Sequence, residues 1–148
     1  MMKKMISILF LFSALLFADE MCNVNGSLIG IPEGSCQQNG YICNLSFDVS
    51  AQEKVMAFYL ASDPTCDPAS LLTTQFTTKL IDETQSNRLH IFLIEGEEYH
   101  TDALGITLAT SLALSASNNK KLVSVIYHKV YNEEYGGIRL QGISQIGN

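Results

Sequence analysis

The residues best suited to binding chemistry lie close together near the end of the chain, between Tyr127 and Tyr135. Aromatic rings stack on the apolar faces of sugars, while imidazole, ammonium, amide and carboxylate groups bond sugar hydroxyls. The stretch supplies all of these groups: Tyr127, His128, Lys129, Tyr131, Asn132, Glu134 and Tyr135. We interpret these seven residues as a candidate carbohydrate-binding set. The alternative is an ordinary solvated hairpin loop with half-buried tyrosines.

Patterns for catalysis or metal binding are weaker. Catalysis needs a nucleophile, a base and an orienting group within mutual reach. The histidines at positions 90, 100 and 128, and the glutamates at 95, 97 and 98, match neither H-E-x-x-H nor another metal-ligand spacing. We therefore predict a non-enzymatic protein without a cofactor or metal, in which His90 is a packed strand residue.

All four cysteines lie in the first half of the chain: Cys22, Cys36, Cys43 and Cys66. In an exported protein an even count indicates two disulfides, with three possible pairings. Asn39-Gly40 is a strong hairpin-turn signal, and a turn there sets Cys36 opposite Cys43 within disulfide reach. Cys22 would then pair with Cys66 by elimination. A zinc site is the disfavoured alternative, because no C-x-x-C spacing is present.

The chain opens with the pattern of a secretory signal peptide. Lys3 and Lys4 form a positive start, residues 5–17 are an apolar run, and Ala18 is a small residue suited to cleavage. An uncleaved membrane anchor is the alternative, although the run is short for one. Removal of residues 1–18 leaves 148 − 18 = 130 residues, which we predict to form one domain over 19–148 with a disulfide-held N-terminal lead-in. We expect a secreted or periplasmic bacterial protein.

The charge balance restricts the classes of partner. The whole chain carries a formal net charge of −6, and loss of Lys3 and Lys4 leaves 7 basic against 15 acidic residues, or −8. Such a protein is repelled by phosphate backbones. We therefore expect neither nucleic acid nor an anionic membrane surface as a partner, and no membrane insertion after signal removal.

The segment 101–121 is typical of one helix around which the remaining chain is organised. Thr101 or Asp102 can cap its first turn, and Asn118 or Asn119 suits the left-handed closing position. No charged residue lies between these ends; leucines form a stripe at 104, 108 and 112, and the remaining face carries small hydroxyl residues. A helix without a charged face is enclosed by its own domain or packed against other copies of the chain. It is too short and hydroxyl-rich for a membrane span.

Strand patterns flank this helix on both sides. We predict strands over 41–49, 55–60, 73–81 and 89–94 before it, and over 122–130 and 138–146 after it, with a bulge at Gly142. Several strands, one helix and two further strands is the plan of the OB-fold, a partly open five-stranded barrel. The predicted fold class is therefore mainly β with one central helix (α+β), an OB-fold-like small antiparallel barrel. A small α+β sandwich is the alternative.

The last third of the chain resembles the binding subunits of bacterial AB5 toxins of the cholera, pertussis and subtilase-cytotoxin types. The resemblance lies in DALGITLATSLALSASNNKKLVSVIYHK followed by GGIRLQGISQIGN, covering roughly residues 99–148. In that family an alanine- and leucine-rich helix ends in a short polar turn, and a valine-rich strand, a loop and a closing I-x-x-I strand follow it. In the cholera-type subunits an aromatic, a polar residue and a lysine contact the sugar where Tyr127, His128 and Lys129 fall here.

The resemblance implies a secreted, non-catalytic binding subunit that recognises host glycans. It further implies a homo-oligomer, a ring-shaped pentamer with the helix lining its centre, and a separate secreted A subunit as partner. The alternative function is a periplasmic structural or protein-interaction domain that binds another protein through a sheet edge or the helix, without a sugar site.

Overall fold

The computed structural model describes residues 20–48, 54–74, 88–96, 101–132 and 136–147. In these ranges the chain forms six strands, one 3₁₀ turn and one α-helix. They are β1 (Met21–Asn23), β2 (Ser35–Asp48), β3 (Val55–Ala61), the 3₁₀ turn Pro68–Ser70, β4 (His90–Ile94), α1 (Ala103–Asn118), β5 (Leu122–Asn132) and β6 (Gly137–Gln145). The predicted signal peptide 1–18 and most of the strand predicted over 73–81 lie outside the described residues.

Five of the strands close into a ring in the order β2-β3-β4-β6-β5-β2. The long strand β2 closes it, because residues 35–41 pair with β5 and residues 41–48 pair with β3. β4 and β6 are parallel neighbours, and every other neighbouring pair in the ring is antiparallel. This is the strand order of an OB-fold with the helix between its third and fourth strands, so the predicted fold class is confirmed.

The barrel interior is built by strict alternation of inward apolar residues. Each strand contributes its alternate positions to one cluster whose members are almost wholly buried. They include Met56, Phe58 and Leu60 of β3, Ile91 and Leu93 of β4, Val123, Val125 and Tyr127 of β5, and Ile138 and Leu140 of β6. The intervening residues of β3 and β4 lie on the other side of the sheet, where Phe92 and Ile94 are covered at 2% and 0% exposed while Tyr59 and His90 are half-buried, so a surface site there can lie only at the Tyr59–His90 end. The predicted bulge is confirmed, because Ile126 pairs with Gly142 while Tyr127 pairs with Leu140.

The disulfides differ from the predicted pairing. The bonds are Cys22–Cys36 and Cys43–Cys66, and no described cysteine is free. The error came from the hairpin predicted at Asn39-Gly40, which instead lies inside the continuous strand β2. Seven residues of extended strand separate positions 36 and 43 by about 23 Å, far beyond disulfide reach. Gly40 serves close packing, since a Cβ there would lie 3.0 Å from the Ala61 carbonyl oxygen.

Helix α1 begins and ends close to the predicted positions. The Asp102 carboxylate accepts a 2.7 Å hydrogen bond from the Gly105 backbone N–H. At the other end Lys120, with φ 51°, takes the left-handed position predicted for an asparagine. Lys121 N–H donates to the Ala116 carbonyl at 2.9 Å and Lys120 N–H to Ser117, the two bonds of a Schellman motif. Asn119 instead caps through its side chain, which donates to the Ser115 carbonyl at 2.8 Å.

The face of α1 that packs on the barrel carries its smaller residues. Ile106, Ala113 and Ala116 are buried, whereas Leu104 and Leu108 are 65% and 61% exposed. The helix is thus only half enclosed by its own domain, and its leucine stripe points largely to solvent. Within the described ranges, no helix combines the length and hydropathy that crossing a membrane requires.

Candidate functional site

Strand parity removes Tyr127 from the predicted carbohydrate-binding set. Its side chain is fully buried in the barrel core, and its hydroxyl donates to the Glu20 carboxylate. A ring in that position cannot stack on a sugar at the surface. Burial is the largest cause of a strongly raised pKa for the Tyr127 hydroxyl, and the hydrogen bond and charge of Glu20 raise it further.

This raised pKa predicts an alkaline loss of stability specific to Tyr127. Only the unfolded chain ionises this group near its ordinary pKa of 10. Its stabilising effect is therefore fully present below pH 10 and is lost as the pH rises further, at about 1.4 kcal/mol per pH unit. Tyr127→Phe should lack this loss, so the stability gap between wild type and variant should be constant from pH 8 to 9.5 and narrow at higher pH. Urea unfolding across that range measures it, and parallel curves up to pH 11.5 would contradict it.

His128 and Lys129 lie next to Tyr127 on β5 and are both half-buried. Burial lowers the pKa of His128, and the nearby positive charges of Arg139 and Lys129 lower it further. The Val130 N–H donates to His128 Nδ1 at 3.3 Å, which requires that nitrogen to be unprotonated. His128 is thus a neutral group beside two cations near physiological pH.

The remaining predicted residues belong to the connection between β5 and β6. Tyr131 and Asn132 pair in register with Ile138 and Gly137, and the Asn132 side chain is half-buried. The side chain of Tyr131 and the whole of Glu134 and Tyr135 lie outside the described residues. The described part of this connection ends on Gly136, which lies against β4.

The structure adds an aromatic pair at this position. Tyr59 of β3 and His90 of β4 are paired in register on the outer face of the barrel, with ring centroids 4.5 Å apart and planes inclined by 24°. His90 Nδ1 lies 3.1 Å from the Gly136 carbonyl oxygen. Since a carbonyl only accepts, Nδ1 donates, and Nε2 is the ring nitrogen left to contact a ligand. Both rings are half-buried, so part of each residue remains accessible.

Two close contacts position this pair. Gly137 brings β6 against β4 so tightly that a Cβ at residue 137 would lie 2.7 Å from the His90 carbonyl oxygen. On the other side, Tyr59 pairs with Cys43, whose disulfide to Cys66 ties the loop over residues 62–70 to the same face. Asp63 organises that loop, accepting from the Thr65 N–H and hydroxyl at 2.8 Å, and these bonds lower the pKa of its carboxyl. The stack is therefore held from both neighbouring strands.

The sequence contained a usable signal for this pair. Both residues fall in segments that the sequence predicts as strands, 55–60 and 89–94, and OB-folds bind ligands on the outer face of their second and third strands and on the adjoining loops. Here those strands are β3 and β4, and the β5–β6 connection is one of those loops. Outward parity alone would have selected Tyr59 and His90. The expectation that His90 is a packed residue agrees with its stacking.

The described residues offer no metal-binding chemistry at this face. The one group of candidate ligand atoms among them is Glu20, Cys22 and Cys36, within 4.8 Å of one another, and Cys36 lies seven positions along β2 from Cys43, the strand partner of Tyr59. Cys22 and Cys36 are joined as a disulfide and so carry no thiolate to bind a metal. Both described histidines have Nδ1 committed to the backbone. What the outer face can supply is stacking and hydrogen bonding.

A second concave feature lies at the helix end of the barrel. β4 and β6 pair only at Ile91–Ile138 and Phe92–Arg139 and then separate, and the first half of α1 lies beside the gap. The result is an open cleft of about 1090 Å³ with mainly apolar walls. None of the predicted sugar-binding residues lines it.

No protein-family model and no curated protein matches this sequence.

Proposed function

We propose that this chain is an exported, non-catalytic carbohydrate-binding module, of the kind that serves as the binding subunit of a toxin-like assembly. The single observation that carries the proposal is the half-exposed Tyr59–His90 stack on the outer face of β3 and β4, against the β5–β6 connection. A stacked aromatic face with adjoining hydrogen-bonding groups is what recognition of a sugar ring needs.

The net negative charge of the chain favours a sugar over a nucleic acid as the ligand of this face. OB-folds take oligonucleotides or oligosaccharides there. A chain with 15 acidic and 9 basic residues repels a phosphate backbone, whereas a neutral saccharide pays no such penalty. The resemblance of residues 99–148 to the binding subunits of AB5 toxins supports the same choice, and the two disulfides are typical of proteins that fold outside the reducing cytoplasm.

Glycan-array binding by the purified protein lacking residues 1–18 tests the proposal. For the best-bound glycan, we expect Tyr59→Ala to weaken binding about tenfold, because it removes the stacking ring. Tyr59→Phe keeps the ring and should bind within about twofold of wild type. Phe47→Ala removes an exposed aromatic ring from β2 and is the matched surface control. Absence of binding to every glycan, or equal binding by Tyr59→Ala, would remove the proposal.

We further propose that the module acts as a homo-oligomer, a pentamer if the toxin resemblance extends that far, with a secreted A subunit as partner. The exposed leucines of α1 support this part, since Leu104 and Leu114 are 65% and 44% exposed on a helix without charge. Several weak sugar sites on one particle bind cooperatively to a glycan-covered surface. Light scattering should give a multiple of the subunit mass that Leu104→Ser reduces; a monomer at all concentrations would contradict it.

The second candidate function is a protein-interaction domain without a sugar site. The observation that favours it is the apolar cleft between α1, β4 and β6, which lies apart from the aromatic pair. A protein that binds no glycan but has a defined protein partner would establish this alternative in place of the first.

A further inference from the structure

The cleft beside α1 is a groove with strand edges in its walls. Its apolar lining comes from three elements: Leu93 of β4, Leu108 and Leu112 of α1, and Ile143 of β6. Leu108 is 61% exposed although its neighbours in the groove are apolar. The exposed apolar side chains of this groove can pack against those of an extended peptide segment.

On its groove side, β6 has no strand partner beyond Arg139 among the described residues. Ile146 N–H donates to the Leu122 carbonyl at 2.9 Å, so Leu122 and Ile146 form a hydrogen-bonded pair of the antiparallel ladder. Hydrogen-bonded and non-bonded pairs alternate along the ladder, which makes Val125–Ile143 a non-bonded pair. The N–H and C=O of Ile143 therefore point away from β5. Among the described residues, β4 pairs with that edge of β6 only as far as Arg139.

The charges at the groove favour a cationic occupant. Glu95 and Asp102 line it with two carboxylates, and Arg139 is its single guanidinium. Asp102 uses one oxygen to cap α1, and its negative charge remains at the rim. With 15 acidic residues in the chain against 9 basic ones, the surrounding field has the same sign. A basic side chain that leaves the apolar floor would meet these carboxylates.

We propose that this groove binds an extended segment of another protein, in which apolar and basic residues alternate, as an additional strand on the free edge of β6. Backbone hydrogen bonds to Ile143 hold the segment, its apolar side chains contact Leu93, Leu108 and Leu112, and its basic side chains face Glu95 and Asp102. This is β-strand addition, in which the main chain supplies affinity and side-chain contacts supply specificity. The groove lies apart from the Tyr59–His90 face, so this inference stands independently of sugar binding.

Two other occupants fit less well. A second copy of this chain brings a net charge of the same sign to an acidic rim. A small molecule suits an enclosed pocket of about 300–1,000 Å³, whereas this groove is open to solvent and measures about 1090 Å³. An extended segment fits the open groove, the edge of β6 that has no strand partner among the described residues, and the two carboxylates together.

The test uses isotope-labelled full mature protein, residues 19–148, and an acetylated, amidated heptapeptide in which valine and lysine alternate. Titration followed by NMR should shift the amide signals of Ile143 and Leu108 and leave those of Tyr59 and His90 unchanged. Leu108→Ser should weaken binding at least about tenfold. Leu104→Ser and Leu114→Ser remove leucines that are exposed on the same helix but do not line the groove, so both should bind within about twofold of wild type.

Peptide variants test the mode of binding without any change to the protein. Replacing the central valine by proline removes a backbone donor and should abolish the shifts. Replacing the lysines by glutamates should weaken binding at least about tenfold at low salt, through repulsion by Glu95 and Asp102. The inference is overturned if the alternating peptide gives no shifts at millimolar concentration, if the proline or glutamate peptide binds as well, or if Leu108→Ser has no effect. Concentration-dependent shifts at Ile143 without peptide would assign the groove to a second copy instead.

Discussion

Replacing Gly137 by alanine is expected to lower the free energy of unfolding by about 2 to 3 kcal/mol, in the upper range for overpacking a close contact. The added Cβ would lie 2.7 Å from the backbone oxygen of His90 and 3.2 Å from Phe92 Cδ1. Both are main-chain or ring atoms that cannot swing aside, so β6 must move away from β4. That pair of strands, the β4–β6 seam, is one of the five pairings that form the ring. The melting temperature should fall by about 10 °C.

The same displacement should weaken sugar binding if the Tyr59–His90 face is the sugar site. His90 donates to the Gly136 carbonyl, and that bond cannot survive a shift of the residue next to it. Gly142→Ala is the matched control on the same strand. Its Cβ would be 3.7 Å from the nearest atom, Ile126 Cβ, which is ordinary contact, so we expect a stability change below about 1 kcal/mol. Thermal unfolding of both variants measures the difference, and equal melting temperatures would show that the seam relaxes freely.

The barrel could be predicted because its determinants are short-range and periodic. Apolar, β-forming runs identified β3, β4, β5 and β6, and the apolar helix between strands restricted the topology to few arrangements. The wrong hairpin and the wrong disulfide pairing both came from a glycine, which is typical of turns but also of places where two backbones approach closely. Asn39-Gly40 was interpreted as a turn, yet Gly40 is required by the approach of the Ala61 carbonyl from a neighbouring strand. Such a contact is long-range and leaves no local pattern, and the wrong disulfide pairing followed from it.

The candidate site was only half predictable for a related reason. The chain places Tyr127 and His128 side by side, but adjacent strand residues face opposite sides of a sheet, so they cannot share a surface. Parity sends Tyr127 into the core and brings Tyr59 and His90, which are 31 positions apart in sequence, into a stack. Composition locates a stretch that is rich in binding groups. Strand register decides which of them meet at one face.

The helix shows the limit of patterning by hydrophobicity. Its uncharged surface predicted that the helix is enclosed by its own domain or packed against other copies of the chain. The fold encloses only one face of it. Ala113 and Ala116 are buried because the barrel end approaches closely, while the larger Leu104 and Leu108 remain outside. The leucines left exposed on this helix are available for contacts between copies of the chain or for binding in the groove. The Leu104→Ser and Leu108→Ser variants separate these two uses.

Removing each disulfide by paired alanine substitution is expected to give similar losses of stability and different losses of function. The bonds Cys22–Cys36 and Cys43–Cys66 span 14 and 23 positions. Loop-closure entropy alone then separates their stabilising effects by about 0.4 kcal/mol, within a loss of about 3 kcal/mol for either. Denaturant unfolding of the oxidised wild type and of both double variants measures these losses.

The functional difference follows from what each bond holds. Cys22–Cys36 ties the three-residue strand β1 to the beginning of β2, at Cys36, seven positions before Cys43. Cys43 is the strand partner of Tyr59, and its bond to Cys66 ties the loop over residues 62–70 to β2 at that position. Cys43→Ala with Cys66→Ala should therefore weaken glycan binding under conditions where the variant is still folded. Cys22→Ala with Cys36→Ala should bind as wild type at the same folded fraction. If the two variants lose binding equally, the loop over residues 62–70 does not position the Tyr59–His90 pair. The pair is then positioned by β3, β4 and the close contact at Gly137.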